Sequence, residues 1–389
     1  MLPLHVDSRG PMLSARLAAA GVGGAVVTSA VNRRWLTGFT GSAGMLVVSA
    51  ETGSSMVLVT DGRYVEQATR ETVAAKADVV VVERRSQAEL RAAVAAHMAS
   101  IAGRNARWAL ETSDITLSEF DQLQAACGAV DLDFDRSRID DASAIFSDLR
   151  RTKSPAEVER IALAARIADV ALGEIASSIV AGVIEAEIRD VLEAAMRRHG
   201  ADDVSFATIV AAGDNAALPH HQPSSREVRA GEAVVIDFGA LVEGYHSDMT
   251  RTFVVGGPGA DEMLERHAVV RASCEAGVAR VAPGVVASEV DAACRRVLAV
   301  AGLEHELTHG VGHGVGLQIH EAPWVNARSQ DVLRPGDVVT VEPGAYRVGF
   351  GGARVEELLL VTDTGHLVLS NSPKEPKCPP FPPTTSRTE

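Results

Sequence analysis

Two hydrophobic periods alternate through the first 150 residues. Positions 13–20 carry apolar side chains at helical spacing and stop at Gly21, whereas 25–28, 45–48, 55–60 and 78–82 are short β-branched runs bounded by Gly, Ser, Thr or Asp. Residues 87–101 return to an alanine-rich helical pattern. The alternation predicts an α/β domain with a mixed sheet over residues 1–150. The chain changes character at Asp148-Leu149-Arg150-Arg151-Thr152-Lys153, just before Ser154-Pro155-Ala156-Glu157. There Ser can cap a helix, Pro suits its first turn, and Glu three residues on completes a capping box. The predicted helix runs through Val158, Ile161, Ala165 and Val170, and a second spans 184–199.

The pattern then repeats. Arg229-Ala-Gly231-Glu232-Ala-Val234-Val-Ile236-Asp237-Phe-Gly239-Ala240 returns as Arg334-Pro-Gly336-Asp337-Val-Val339-Thr-Val341-Glu342-Pro-Gly344-Ala345, offset by 105 residues. Upstream, Gly182-Val183-Ile184 with Glu187-Ile188 matches Gly284-Val285-Val286 with Glu289-Val290 at an offset of 102. Order and near-equal offset predict a second domain made of two similar halves about a pseudo-two-fold axis.

Composition narrows the function. The 389 residues include 51 acidic and 37 basic side chains, a net charge of −14 that argues against binding a polyanion, and only 4% aromatics, which offers no stacking platform for bases. Cys127, Cys274, Cys294 and Cys378 form no C-x-x-C pair, so a reduced, cytoplasmic chain is expected. No signal peptide is visible in MLPLHVDSRG, and no apolar run reaches the ~18 residues of a membrane span. Six prolines after Ser370 predict a disordered tail over 371–389.

The repeated strands carry the chemistry. Each ends at a carboxylate, Asp237 or Glu342, and each is followed by another, Asp248 or Glu356. A charge at the end of an apolar strand is costly to bury unless it is paired or binds a cation. A lone Asp there would be read as a turn residue; four in two related halves are harder to dismiss. Between them lies His309-Gly-Val-Gly-His313-Gly-Val-Gly-Leu-Gln-Ile-His320-Glu321, whose glycines let the backbone approach a site, and Leu218-Pro219-His220-His221 precedes the first strand. The glycine-rich stretch lacks the lysine of a phosphate-binding loop. Carboxylates with imidazole suit Mn²⁺, Co²⁺, Zn²⁺ or Fe²⁺. Two divalent ions balance four carboxylates, which is the arrangement of a two-metal hydrolase.

These motifs resemble, in order, the Xaa-Pro peptidases of the pita-bread metallopeptidase family, which includes aminopeptidase P, prolidase and, more distantly, methionine aminopeptidase and creatinase. The resemblance is carried by Ala217–His221, Ile236-Asp237-Phe238-Gly239, Gly244–Thr252, Gly312–Glu321, Val341-Glu342-Pro343-Gly344 and Arg354-Val355-Glu356, and residues 32–44 look like the creatinase-type amino-terminal domain. It implies an α/β N-terminal domain (1–150) and an α+β pita-bread catalytic domain (151–370) with internal duplication. It also implies two divalent ions per subunit, manganese first and cobalt or zinc as alternatives. Asp237 would hold one ion, His313 and Glu342 the other, and Asp248 with Glu356 both. Glu342 would act as general base. His220 and His320 would contact substrate and assist proton transfer, and His309 and Arg354 would shape the pocket. His221 and Glu321 fall outside this set. The implied activity is hydrolysis of the bond before proline in a peptide substrate, with homodimers expected and neither nucleic acid nor membrane as a partner. Aminopeptidase P is preferred on Thr37-Gly38-Phe39-Thr40-Gly41-Ser42-Ala43-Gly44. Prolidase is the alternative on the same site, and a non-catalytic pita-bread scaffold is the different-class one.

Overall fold

The β-branched runs of the amino-terminal part become strands. The computed structural model describes residues 1–376, and contacts divide the chain into two units, one over Leu2–Arg150 and the other from Arg151 onward. In the first unit, β1 (Gly24–Val27), β2 (Met45–Ser49), β3 (Met56–Asp61), β4 (Val79–Arg84), β5 (Trp108–Leu110) and β6 (Ile139–Asp141) form one sheet in the order β4-β3-β2-β1-β5-β6. β1–β2 and β2–β3 are antiparallel, whereas β3–β4, β1–β5 and β5–β6 are parallel, so the sheet is mixed. It is accompanied by α1 (Arg9–Ala19), α2 (Ala30–Thr37), α3 (Val65–Ala74), α4 (Gln87–Ile101), α5 (Leu117–Ala129) and α6 (Ser143–Arg151). Val26, Val47, Val59, Leu90, Val94, Trp108 and Leu123 share its core.

Polar burial explains the elements that periodicity did not reveal. α1 starts at Arg9 rather than near position 13, because the buried Arg9 donates to the Trp35 carbonyl at 2.7 Å and lies over the Trp35 ring at 4.9 Å. α2 buries Asn32 and Arg33: Asn32 donates to the buried Glu111 and accepts from Arg150 at 2.8 Å.

The second unit opens with the capping box read from sequence. The Ser154 side chain accepts from the Glu157 N–H and the Glu157 carboxylate accepts from the Ser154 N–H, starting α7 (Pro155–Ile175). After α7 come α8 (Glu185–Arg198), β7 (Asp203–Val204), β8 (Ile209–Ala212), β9 (Ala233–Phe238), β10 (Ala240–Val242), β11 (Tyr245–His246) and β12 (Met249–Val254). The second half supplies α9 (Ala260–Arg280), α10 (Ala287–Val300), β13 (Gly312–Gly314), β14 (Glu321–Val325), β15 (Val338–Val341), β16 (Gly344–Arg347), β17 (Gly351–Arg354), β18 (Glu357–Val361) and β19 (His366–Val368). The main sheets run β12-β9-β8 and β14-β13-β15-β18-β19, beside the smaller β11-β10-β7 and β16-β17. Each half has its own core: Leu172, Leu192, Val210, Ile236 and Phe253 in the first, and Val270, Leu298, Val339, Val341 and Leu359 in the second.

The repeat recurs bond by bond. The Gly182 N–H donates to Val228 O and the Gly284 N–H to Leu333 O, both at 2.8 Å. Gly231 N–H reaches Val255 O and Gly336 N–H reaches Val361 O, both at 2.9 Å, with φ of 89° at both glycines, a conformation that favours glycine. Isolated bridges pair Ile184 with Glu227 and Val286 with Val332. This is the pseudo-two-fold pita-bread architecture. The register departs from the sequence reading in one respect. Ile236 partners Arg251 and its repeat mate Val341 partners Glu357, so Glu356 corresponds to Thr250 and not to Asp248.

The start of the expected tail is held in place. Asn371 and Ser372 donate through their N–H groups to Asp169, and the Val254 N–H donates to Pro376 O at 2.7 Å. The disordered stretch expected from 371 therefore does not begin there, because backbone partners compensate for the proline content. Residues 377–389 of that expectation lie outside the described residues.

Ser154→Ala removes an N-cap whose partner Glu157 is buried. It is expected to lower stability by about 1–2 kcal/mol in urea unfolding of the whole chain; a loss under a few tenths would mean the box is not holding α7.

Candidate metal centre

Strand geometry gathers the acidic residues. Asp237 lies in β9 opposite Thr250, Asp248 immediately precedes β12, Glu342 follows β15, and Glu356 sits between β17 and β18. The two halves are tied here: the Glu356 N–H donates to Thr250 O at 3.2 Å, and Thr252 Oγ1 accepts from the Arg354 N–H at 3.0 Å and donates to Arg354 O at 2.8 Å. As a result one oxygen each from Asp237, Asp248 and Glu356 falls within 4.8 Å of the others. His313, in the middle of β13, brings Nε2 to 3.5 Å from Asp248 Oδ2 and 3.4 Å from Glu342 Oε1. All nine residues singled out from sequence, His220, Asp237, Asp248, His309, His313, His320, Glu342, Arg354 and Glu356, line one cavity of about 730 Å³.

The electrostatics call for a cation. Burial pushes the Asp248 and Glu356 carboxyls well above their usual range; Glu356, Asp237 and Glu342 add to the effect at Asp248, and Glu342 and Asp237 add to it at Glu356. Burial also raises Glu342. Asp237 Oδ1 and Glu356 Oε1 are buried with no hydrogen-bond donor. His313 Nδ1 lies 3.0 Å from Gly314 O, an atom that can only accept, so Nδ1 carries the ring proton and Nε2 presents a lone pair to two carboxylates. Burial lowers the His313 pKa and keeps the ring neutral. Lone pairs converging on lone pairs, with buried oxygens left over, fit a metal-binding donor set.

Arg354 is the fixed cation of the site. Its guanidinium donates to Asp237 Oδ2, to Thr250 Oγ1 at 3.0 Å and to Tyr346 Oη at 2.8 Å. Burial works against its charge, but Tyr346, Asp237, Glu342 and Glu356 outweigh burial and raise its pKa. Thr250 passes its own proton on to Glu356 Oε2 at 2.8 Å. His309 Nδ1 faces Gly310 O at 2.6 Å and Nε2 faces Tyr346 Oη at 3.0 Å. By the same reasoning Nε2 accepts the Tyr346 proton, which burial holds in place by pushing the phenol up to about 12. The His320 ring meets His313 edge-on at 4.4 Å, and His220 lines the cavity beside Pro219 and Gln222.

His221 and Glu321 serve elsewhere. His221 pairs with the fully buried Glu185 at 2.9 Å, and Glu321 pairs with Lys153 at 2.8 Å. Sequence reading missed Thr250, Thr340 and Tyr346. Thr340 Oγ1 accepts from the His313 N–H at 3.1 Å and lies 3.5 Å from Glu342 Oε1. Tyr346 falls one residue beyond the repeated segment; the threonines alternate with strand residues and carried no signal of their own.

A duplicated α+β domain whose interior collects carboxylates, an imidazole and orphaned oxygens defines a metalloenzyme. The chain belongs to metallopeptidase family M24: the family model matches residues 159–363, and the creatinase/prolidase N-terminal domain matches residues 11–151. It is 36% identical over 355 residues to an uncharacterized peptidase, YqhT, of Bacillus subtilis, covering 91% of this chain and 95% of that one. Among solved structures it resembles an Xaa-Pro dipeptidase from Bacillus anthracis (35% identity, TM-score 0.87) and an X-Pro aminopeptidase from Thermotoga maritima (31%, TM-score 0.82), each match covering 95% of this chain and 99% of the other. No helix among the described residues is long and apolar enough to cross a membrane.

The raised carboxyls set a sign for pH dependence. A carboxyl whose folded pKa exceeds its unfolded value binds its proton more tightly when folded, so its contribution is present at low pH and lost as pH rises through the folded pKa. Without metal, Asp248→Asn is therefore expected to raise the melting temperature, and to do so more at alkaline than at acidic pH, because the amide never carries the charge that burial penalises. Added Mn²⁺ should stabilise wild type more at the higher pH, and Asp248→Asn less than wild type. Equal stabilisation of both proteins, followed by calorimetry, would remove Asp248 from the centre.

Proposed function

We propose that this chain is a two-metal exopeptidase that hydrolyses the bond preceding proline. The observation that carries the reading is the meeting, on one cavity, of five metal-type donors with three further histidines. Asp237, Asp248, His313, Glu342 and Glu356 would together hold the two ions. Bound divalent ions, manganese first, supply water activation and carbonyl polarisation. Glu342, half-buried and with its carboxyl raised chiefly by desolvation, would take up the proton. Arg354 holds Asp237 through one nitrogen and, through Thr250, the orientation of Glu356.

The substrate class follows from chemistry. An Xaa-Pro bond is a tertiary amide with no N–H and a fixed proline φ, so ordinary strand-like gripping fails and a dedicated cavity is needed. His220 and His320 offer imidazole N–H groups on the cavity wall, suited to the proline nitrogen as it leaves. Burial lowers the His320 pKa, so its ring is neutral and not a fixed charge. Phe206, Ile319 and Trp324 supply apolar lining.

Within this class the aminopeptidase reading rests on the Thr37–Gly44 pattern, and a dipeptidase reading is favoured by the Xaa-Pro dipeptidase names among the relatives, including one from Pyrococcus horikoshii that is 38% identical over 238 residues. Hydrolysis of an Xaa-Pro dipeptide and an Xaa-Pro-Yaa tripeptide after Mn²⁺ loading separates them. Release of Xaa from the tripeptide is expected, and cleavage confined to the dipeptide makes the chain a dipeptidase. No hydrolysis of either by metal-loaded protein would favour the binding-scaffold alternative. Asp248→Ala is expected to lower kcat at least a hundredfold and to reduce bound metal below two ions per chain, measured by elemental analysis.

A further inference from the structure

His309 reaches the site from a glycine-flanked loop, which by itself fixes neither the backbone nor the ring. Its carbonyl oxygen is held by a side chain on the far side of that loop. Arg295, on α10, donates from Nη2 to His309 O at 2.8 Å and from Nε to Asp291 Oδ2 at 2.6 Å. Asp291 lies one turn earlier on the same helix and is 1% exposed, while Arg295 keeps partial contact with solvent. A buried carboxylate thus fixes a guanidinium, and the guanidinium fixes a loop carbonyl. α10 belongs to the rigid core of the second half through Val290, Cys294 and Leu298. Beyond the carbonyl the chain of bonds continues through the His309 ring to Tyr346 Oη at 3.0 Å, to Arg354 Nη1 at 2.8 Å and to Asp237.

We propose that Arg295 is a positioning residue that sets the His309 ring against Tyr346, with Asp291 orienting it. The pair has no counterpart in the first half, where the offset of 102 places Arg189 and Glu193 at these positions. It is therefore tied to what the second half alone carries, the His309 loop. Arg295 is not among the residues that line the cavity, and its effect passes through one imidazole. Freed from its anchor, the loop samples rotations in which His309 Nε2 loses the Tyr346 proton. Tyr346 and Arg354 are then no longer held in one arrangement.

As far as catalysis is concerned the inference rests on the peptidase reading, so the test has one arm that needs no substrate. In full-length protein with labelled histidine, long-range ¹H–¹⁵N spectra report the His309 tautomer, expected to be a single Nδ1–H form in wild type. Arg295→Gln is expected to give mixed tautomers or a broadened His309 signal, with Arg295→Lys intermediate. An unchanged His309 signal in folded Arg295→Gln overturns the proposal. Because that variant leaves Asp291 buried without its cation, Asp291→Asn combined with Arg295→Gln provides a neutral pair that keeps the fold and is expected to show the same spectral change. In the kinetic arm, Arg295→Gln is expected to lower kcat for an Xaa-Pro peptide about tenfold with little change in KM. In a His309→Ala background it should cost nothing more. Losses that multiply in the double variant overturn the positioning role, whereas a wild-type protein inert toward Xaa-Pro peptides overturns the peptidase reading and leaves the spectral arm to decide for Arg295.

Discussion

Four carboxylates, Asp237, Asp248, Glu342 and Glu356, converge on one interior place with one fixed guanidinium among them. Isolated buried charges of like sign are among the costliest arrangements a fold can hold. Here the backbone forces the convergence: the ladder between β9 and β12 fixes Asp237, and the bonds from Glu356 N–H to Thr250 O and between Arg354 and Thr252 clamp the halves across it. The carboxyls of Asp248, Glu342 and Glu356 respond by holding protons more tightly, and two oxygens are left without donors. The cores of both halves, which are apolar and buried, hold the strands that carry these residues and so oppose relaxation of the repulsion.

Arg354 makes the repulsion tolerable without removing it. It satisfies one oxygen of Asp237 and, with Thr250, orients Glu356, so the remaining oxygens point inward instead of turning to other donors. Tyr346 and His309 then keep Arg354 from swinging toward the middle of the site. A lysine at position 354 could not do this, since a single ammonium cannot address three acceptors in fixed directions at once. The arrangement illustrates how side chains that never meet a substrate decide which lone pairs of a centre are free.

The duplication, the capping box at Ser154 and the set of donors were legible because each leaves a pattern on its own. Gly231 and Gly336 recur at the offset because the turn they make needs φ near 89° in both halves. The Asp and Glu donors stand out because a charge ending an apolar strand violates the pattern around it. Thr250 and Thr340 were not legible, because a threonine in a strand is ordinary and only the packing of two strands reveals which hydroxyl faces a carboxylate. Arg9 and Asn32 hid α1's true start and all of α2 for a related reason: polar residues buried by specific partners look, in sequence, like exposed ones. The aminopeptidase preference drawn from residues 37–44 rests on likeness alone, since that stretch belongs to the first unit and none of its residues lines the cavity.

The register also changes how the symmetry of the centre is understood. Asp237 and Glu342 are equivalent in both sequence and ladder, and they are the symmetric part of the donor set. Glu356, however, stands where Thr250 stands in the first half, and the two are bonded to each other at 2.8 Å. Asp248 reaches the same place from the residue before β12, two positions earlier in the chain than Thr250. Had duplication been preserved at every position, a threonine hydroxyl would lie where Glu356 supplies a carboxylate, and the set would be one donor short. The second half also alone carries His313, Tyr346 and Arg354, so the fixed positive charge of the site comes from one half, while His220 reaches the cavity from the other. A symmetric scaffold thus yields an asymmetric site, and a hydrolytic centre needs that asymmetry, because the attacked carbonyl and the departing nitrogen make opposite demands on their surroundings.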